Sequence, residues 1–265
     1  MTRLQVIGGG RMGEALVAGL IESGWASAAD LTVVEVDPGR RAELEAAHPG
    51  LDVVAEPVAA EAAVVAVKPD GAPAAAAAAG RAGAVRVLCI AAGVGTADLE
   101  NDLPEGTAVV RAMPNTPALV GVGASAIAAG RHAGDADLAW AEEVLGAVGK
   151  VVRVPEAHLD AVTGLSGSGP AYVFLLAEAM IDAGVLVGLP RATSRELAVQ
   201  TLLGAATLLD RTGETPEALR AQVTSPGGTT AAGLRALEAA GVRAGVLDAV
   251  VAATARSREL GAGPA

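Results

Sequence analysis

Eight consecutive residues, Val223-Thr224-Ser225-Pro226-Gly227-Gly228-Thr229-Thr230, hold the densest chemistry in the chain, and four of them bear a hydroxyl. Pro226, Gly227 and Gly228 oppose helix continuation, whereas residues 230–240 read as a helix. The run therefore presents free backbone N–H groups and hydroxyls at a helix N-terminus, where a small anion such as a carboxylate is favoured. An ordinary turn followed by an N-cap is the competing account.

A second loop adds a different chemistry. Gly8-Gly9-Gly10-Arg11-Met12-Gly13 follows a strand pattern at 4–7 and opens a helical one at 11–24, with glycines at the first, third and sixth places of G-x-G-x-x-G. Gly8 permits the tight turn, Gly10 lets a pyrophosphate approach the backbone, and Gly13 allows close helix–strand packing. With an acid closing the next strand, this is a dinucleotide-binding arrangement. Glu35 and Asp37 stand where a carboxylate holds a ribose 2′-hydroxyl and repels a 2′-phosphate. Arg40 and Arg41 follow, and either pair with a 2′-phosphate or lie on a solvated helix face. NADH and NADPH both stay open. Two further loops at strand ends are expected to line this site: Val67-Lys68-Pro69, and the segment from Arg111 through Met113, Pro114 and Asn115 to Pro117. Lys68 is expected to face the site, and the Asn115 amide to hold the nicotinamide side of the cofactor.

The elements positioning these loops divide in two. Up to about residue 154, apolar strand runs at 4–7, 31–36, 52–54, 62–67, 85–91, 107–111 and 122–129 alternate with helical stretches such as 11–24 and 38–48. That alternation implies a mainly parallel sheet covered on both faces. Residues 72–79 read as an alanine-rich surface helix broken by Pro73. After Val154-Pro155 strand patterns stop, and helices are expected at 156–163, 171–187, 191–210, 216–223, 230–240 and 242–260. Those starting at Ala171 and Arg191 are apolar on more than one face, which implies burial against another subunit. The expected domains are 1–154, nucleotide-binding, and 155–265, helical.

Composition narrows the classes. The 265-residue chain carries a formal charge of −11, which argues against a nucleic-acid binder. No uninterrupted apolar run is expected to span a bilayer once Gly, Pro and charges are counted. Met1-Thr2-Arg3 leads straight into a strand, with no signal-peptide pattern. Cys89, the single cysteine, reads as a buried strand residue of a cytoplasmic protein. No metal site is expected.

Proton handling decides between reactions. Alcohol dehydrogenation requires a group to take the hydroxyl proton, generally Lys or His. The β-hydroxyacid dehydrogenases place a lysine after a glycine-rich helix start in their second domain; the comparable segment here, Gly164 to Val173, has Val173 at that place. Lys68 and Lys150 both precede the helical part, and His158 is its sole histidine. Reduction of a C=N bond asks for less, because a protonated iminium is already electrophilic and the amine product stays basic. A hydroxyl for the nitrogen and donors for a carboxylate suffice, and the 225–230 loop offers both.

The chain resembles the Δ1-pyrroline-5-carboxylate reductase family over essentially its whole length. The resemblance is carried by Val6 to Gly13, Ala66-Val67-Lys68-Pro69, Arg111 to Pro117, Leu165 to Tyr172, and above all Val223 to Thr230 with Gly233, Leu234, Leu237 and Glu238. It implies an α/β Rossmann domain followed by an all-α dimerisation domain, with helical domains interleaved so that each active site joins one subunit's nucleotide domain to its partner's helical domain; some members form decamers. It implies hydride transfer from NADPH or NADH to 1-pyrroline-5-carboxylate, giving L-proline in the cytoplasm. Ser225, Gly227 and the N–H groups of Gly228, Thr229 and Thr230 would bind the substrate carboxylate, and Thr230 would place its hydroxyl at the imine nitrogen. Where many members carry small hydroxyl or basic residues, this chain has Glu35 and Asp37, which weakens the expectation of NADPH. Reduction of a related imine by the same machinery, and a non-enzymatic nucleotide-binding redox sensor, are the alternatives.

Overall fold

The structure, a computed structural model, describes residues 2–261; Met1 and residues 262–265, at the outer ends of the two expected domains, lie outside the described residues. Strands and helices alternate as β1 (Thr2–Ile7), α1 (Arg11–Glu22), β2 (Leu31–Val34), α2 (Pro38–Ala47), β3 (Asp52–Val54), β4 (Ala60–Val65), α3 (Ala72–Arg81), β5 (Arg86–Cys89), α4 (Thr96–Glu100), β6 (Ala108–Met113), β7 (Gly123–Ala129), α5 (Asp135–Gly146) and β8 (Gly149–Arg153). Among the described residues these strands form one eight-stranded sheet in the order β3-β2-β1-β4-β5-β6-β7-β8. Pairing is parallel from β3 to β6, antiparallel between β6 and β7, and parallel again between β7 and β8. β8 has no counterpart in the sequence pattern. It is a half-exposed edge strand, too short and too polar to give a period of its own.

Residue parity explains the double cover, since alternate side chains leave a strand on opposite faces. Leu4, Val6, Leu31, Val33, Val64, Leu88 and Val110 pack with Leu16, Val17 and Leu20 of α1 and Val144 and Leu145 of α5. Their neighbours Val65, Val87, Cys89 and Val109 pack instead with Ala72 and Ala76 of α3 and Leu99 of α4. Pro73 does not break α3. It occupies the first turn, where no intrahelical N–H is lost, and Ala72, Ala76, Ala77, Ala79 and Gly80 form a buried face rather than a surface helix. Burial pushes the Cys89 thiol up to about 11, so it stays a small apolar side chain.

The sheet's strand order turns at β1, which has β2 on one side and β4 on the other. In doubly wound sheets such a switch opens a crevice at the C-terminal strand ends. The glycine run leaves β1 there, next to the loop that leaves β4.

Beyond β8 come α6 (Leu159–Val162), a π turn (Thr163–Gly167), α7 (Gly169–Leu186), α8 (Arg191–Thr212), α9 (Pro216–Gln222), α10 (Thr229–Ala239) and α11 (Val242–Gly261). Element type changes near 155, but the compact units divide elsewhere: one runs through Ser168 and resumes at Val251, and the other is Gly169–Val250. Packing explains the difference. Leu159 is buried with Ala126 and Ala128 of β7, and Ser257 of α11 donates to Asp160 at 2.7 Å. Glu156 accepts from the Thr96 N–H and hydroxyl, each at 2.7 Å, and from Arg111 at 3.2 Å.

The helical unit, taken by itself, leaves most of its apolar surface open. Among its described residues only Ser194 and Ala198 are buried, while Leu175 and Leu186 are 66% and 86% exposed. One helical stretch among the described residues, Glu156–Leu186, is long and apolar enough to span a bilayer by length and composition alone, with a mean hydropathy of 1.4 over its best window. The sequence pattern hid this because Gly164 to Pro170 looks like a break, whereas the π turn carries helical winding through it.

Glu156 generates a pH prediction. Burial alone would raise its pKa, but the Thr96 hydroxyl and N–H and the Arg111 charge together hold it below the ordinary 4.5. A folded-state pKa below the unfolded one contributes stability above the unfolded value and loses it as pH falls through the folded value. Glu156→Gln is expected to be less stable than the parent near neutral pH, the gap closing as pH falls below the ordinary 4.5 and through the lowered folded value. Urea unfolding across that range checks this, and a pH-independent gap would refute the assignment.

Candidate functional site

The glycine loop meets the three steric demands of a phosphate cradle. Gly8 turns with φ +106°, and a Cβ there would approach the Ala66 carbonyl oxygen to 2.6 Å. A Cβ at Gly13 would collide with the Gly8 carbonyl, so helix and strand cross only because that atom is missing. At Gly10, the N-cap of α1, no atom lies within 4 Å of a would-be Cβ and no side chain caps the helix. An open backbone ending in uncapped N–H groups fits a dinucleotide pyrophosphate. Arg11 extends exposed from the first turn, and Met12 tucks against the core beneath α1.

Gly9 has both its polar backbone groups held by side chains from the next βα unit. Its N–H donates to Glu35 Oε2 at 3.0 Å, and its carbonyl accepts from Arg40 Nε at 2.8 Å. The second Glu35 oxygen accepts from the Asp37 N–H at 2.9 Å. Arg40 then spends its remaining nitrogens on Glu43 at 2.9 Å and Glu14 at 2.5 Å. Those two carboxylates, Glu43 first, raise its pKa. Two expectations change. Asp37 is the N-cap of α2, accepting from Gly39 and Arg40 N–H groups at 2.7 and 3.2 Å, so Glu35 is the carboxylate set against the glycine loop. Arg40 is a clamp on that loop rather than a free guanidinium, and Arg41 Nη1 is tied to the Glu35 and Val36 carbonyls at 2.9 and 3.0 Å. Glu14 was not anticipated. Its place in the first turn of α1 was visible, but its partner comes from α2.

The loop after β4 places Val67 half-buried beneath Gly8, and leaves Lys68 and Pro69 exposed at the start of a 3-10 turn. After β6, Pro114 is buried, and the Met113 methyl group lies against Gly167 of the π turn. Asn115 takes a different role from the expected nicotinamide contact. Its Oδ1 accepts from the Ala124 N–H at 2.8 Å, and its Nδ2 donates to the Ser166 carbonyl at 3.0 Å. It ties the β6 loop to β7 and to the π turn, the kind of local winding defect that recurs at functional sites. His158 is exposed.

In the helical unit, the 223–230 run is a turn into α10. Gly227 adopts φ +72°, and Gly228 is the N-cap, with no side chain capping the helix. The Gly228 N–H donates to the Ser225 carbonyl at 3.1 Å. A carboxylate at this N–H, as expected from the sequence, would compete with that bond. The first α-type bond of the helix runs from Ala232 N–H to the Gly228 carbonyl at 3.2 Å, so the N–H groups of Thr229, Thr230 and Ala231 point outward unpartnered. Threonines elsewhere in these helices spend their hydroxyls on the carbonyl four residues back, as at Thr201, Thr207, Thr212 and Thr224. The hydroxyls of Ser225, Thr229 and half-buried Thr230 have no such partner among the described residues. A depression of about 330 Å³ beside Gly227 and Gly228 is also lined by Arg235. Arg235, unpaired among the described residues, is not apparent in the sequence because it sits beyond the loop and returns to it only through the helical turn.

The whole chain compares closely with known proteins. A pyrroline-5-carboxylate reductase of Synechocystis is 46% identical, the match covering 98% of each chain. The chain belongs to the pyrroline-5-carboxylate reductase family. The model of that family's dimerisation domain matches residues 156–260, and one described as NADP oxidoreductase, coenzyme F420-dependent, matches 3–93. A Coxiella burnetii pyrroline-5-carboxylate reductase structure superimposes with a TM-score of 0.91 at 33% identity over 98% of each chain. A Plasmodium falciparum pyrroline carboxylate reductase with NADP bound gives 0.84 at 28% identity, again over 98% of each. Family members thus share both the Rossmann sheet and the helical domain described above.

Asn115 supplies a direct test of how the loops are held. Asn115→Ala strands the Ala124 N–H and Ser166 carbonyl and is expected to cost about 1–3 kcal/mol. Denaturant unfolding measures this, and an unchanged midpoint would show that the tie is dispensable.

Proposed function

We propose that the chain reduces the C=N bond of 1-pyrroline-5-carboxylate to L-proline, using NADH or NADPH, as the last step of proline synthesis. The observation that carries this reading is the uncapped N-terminus of α10 with its uncommitted hydroxyls. Gly8 to Gly13 would hold the nicotinamide dinucleotide, which when bound would supply the hydride for the imine carbon. The chain's own residues do the rest. The N–H groups of Thr229 and Thr230, reinforced by the helix dipole, hold the substrate carboxylate together with the Ser225 hydroxyl. Gly227 shapes the turn. Thr230 Oγ1 accepts a hydrogen bond from the protonated ring nitrogen and fixes its orientation while hydride adds to the adjacent carbon, giving the amine. No carboxylate, lysine or histidine is required, because a protonated C=N already draws hydride.

Thr230→Val keeps shape and removes the hydroxyl. It is expected to lower kcat/KM by one to two orders of magnitude, roughly 1.4–3 kcal/mol of transition-state stabilisation. Steady-state kinetics with pyrroline-5-carboxylate and with a six-membered cyclic analogue checks this. Unchanged kinetics would refute the role of Thr230, and no turnover of any imine would overturn the reaction itself.

The same reading includes a homodimer, built by covering the apolar faces of α7 and α8 with a second copy, and a cytoplasmic enzyme without nucleic-acid partners. Support comes from the open leucines of those helices and from the charge of −11. Sedimentation is expected to show multiples of the 25.9 kDa chain, with any assembly beyond two copies visible in the same experiment. A stable monomer at micromolar concentration would count against it.

A further inference from the structure

We infer that this chain discriminates in favour of NADH, and that Glu35 is the residue that does so. The inference rests on the reading that Gly8 to Gly13 bind a nicotinamide dinucleotide, and adds which one. Residue types alone leave the matter balanced, because an acid and two arginines stand at the same strand end. Hydrogen bonding breaks the balance. Glu35 leaves β2 with its N–H bonded to the Val54 carbonyl at 2.9 Å, and its two carboxylate oxygens are fixed by the N–H groups of Gly9 and Asp37. Together the two contacts hold the carboxylate beside the loop. A ribose hydroxyl there meets an acceptor; a 2′-phosphate meets a like charge.

Of the cations that follow Glu35, Arg40 is fully engaged and Arg41 is held at Nη1. All three Arg40 nitrogen positions have partners: Nε on the Gly9 carbonyl, Nη1 on Glu43 and Nη2 on Glu14. Arg41 Nη1 bridges two carbonyls at the end of β2. Turning Arg40 to a phosphate would free the Gly9 carbonyl, leave Glu43 without its ion-pair partner and leave Glu14 with only His48 at 3.7 Å. Arg11, exposed on α1, lines a depression with Glu14, Ala15 and His48 rather than with Glu35.

Nicotinamide fluorescence titration of the full chain with NADH and NADPH, without imine, tests the proposal apart from turnover. The parent is expected to bind NADH at least tenfold more tightly. Glu35→Ser is expected to shift the ratio at least tenfold toward NADPH, and Glu35→Gln, which retains side-chain size, to move it in the same direction. Thermal melts establish that each variant is folded. Equal or tighter binding of NADPH by the parent would overturn the proposal, as would an unchanged ratio in both folded variants. Loss of NADPH binding in Arg11→Ala, with Glu35→Ser neutral, would likewise overturn it by assigning the phosphate to Arg11. Preserved NADH preference without imine turnover would leave this inference standing and sink the reaction, and the reverse result would do the opposite.

Discussion

Holding Gly9 by both of its backbone polar groups is the constraint on which the nucleotide end of this protein depends. A loop of three glycines has the most conformational freedom to lose on folding, and nothing in its own side chains can restrain it. Glu35 takes the N–H and Arg40 the carbonyl, so the loop is fixed by a strand end and a helix rather than by itself. The open face at Gly10 can then stay bare for a pyrophosphate without the loop being slack. Glu14, on the first turn of α1, completes the arrangement by pairing with Arg40, so the helix that follows the loop is bonded to the helix that restrains it.

Two of the chain's glycine N-caps sit in the candidate loops. Both α1 and α10 begin at a glycine N-cap with no side chain satisfying the first N–H groups. Glycine N-caps without a capping side chain also start α3, α4 and α5, the last two with an N3 aspartate accepting from the cap N–H, whereas Asp37 caps α2 and Thr215 caps α9. An uncapped N-terminus forgoes a stabilising bond worth about 1 kcal/mol, and these two coincide with the loops whose residue types suggest anion chemistry. Hydroxyls sharpen the second. Threonines in the helix bodies turn inward to the preceding turn, whereas Thr229 and Thr230, with no helical carbonyl four residues behind them, keep theirs available.

Much of this was legible in the residues. Strand positions emerged because parallel strands buried on both faces read as apolar runs, and the glycine spacing located the crevice because only glycine survives at Gly8 and Gly13. Helices α7 to α11 were found to within a few residues from their period and from Pro190, Gly213 and Gly241. The differences from expectation share a cause. Residue type made Asp37, Arg40 and Asn115 candidates for the cofactor, and the fold gives each an intramolecular partner: α2's own N–H groups, the Gly9 carbonyl, and the Ser166 carbonyl with the Ala124 N–H. The Gly228 N–H, expected at a carboxylate, likewise has the Ser225 carbonyl as a partner. Pro73 looked like a break because its position within the helix, not its identity, decides its effect.

The sequence by itself determined the class of machinery: a strand–glycine–helix nucleotide loop, a helical second part, and a hydroxyl-rich helix start, all features encoded within a dozen neighbouring residues. Only the tertiary structure decided which polar groups remain free. Gly9, Glu14, Glu35 and Arg40 come from different elements, and whether a guanidinium is spent or available depends on which of them the fold brings within hydrogen-bond distance. The compact units also divide at Ser168 and Val251 rather than near residue 155, because Leu159, Glu156 and Ser257 pack and bond to the sheet unit. Hydrogen bonds and burial are pairwise and non-local, so no pattern along the chain records them.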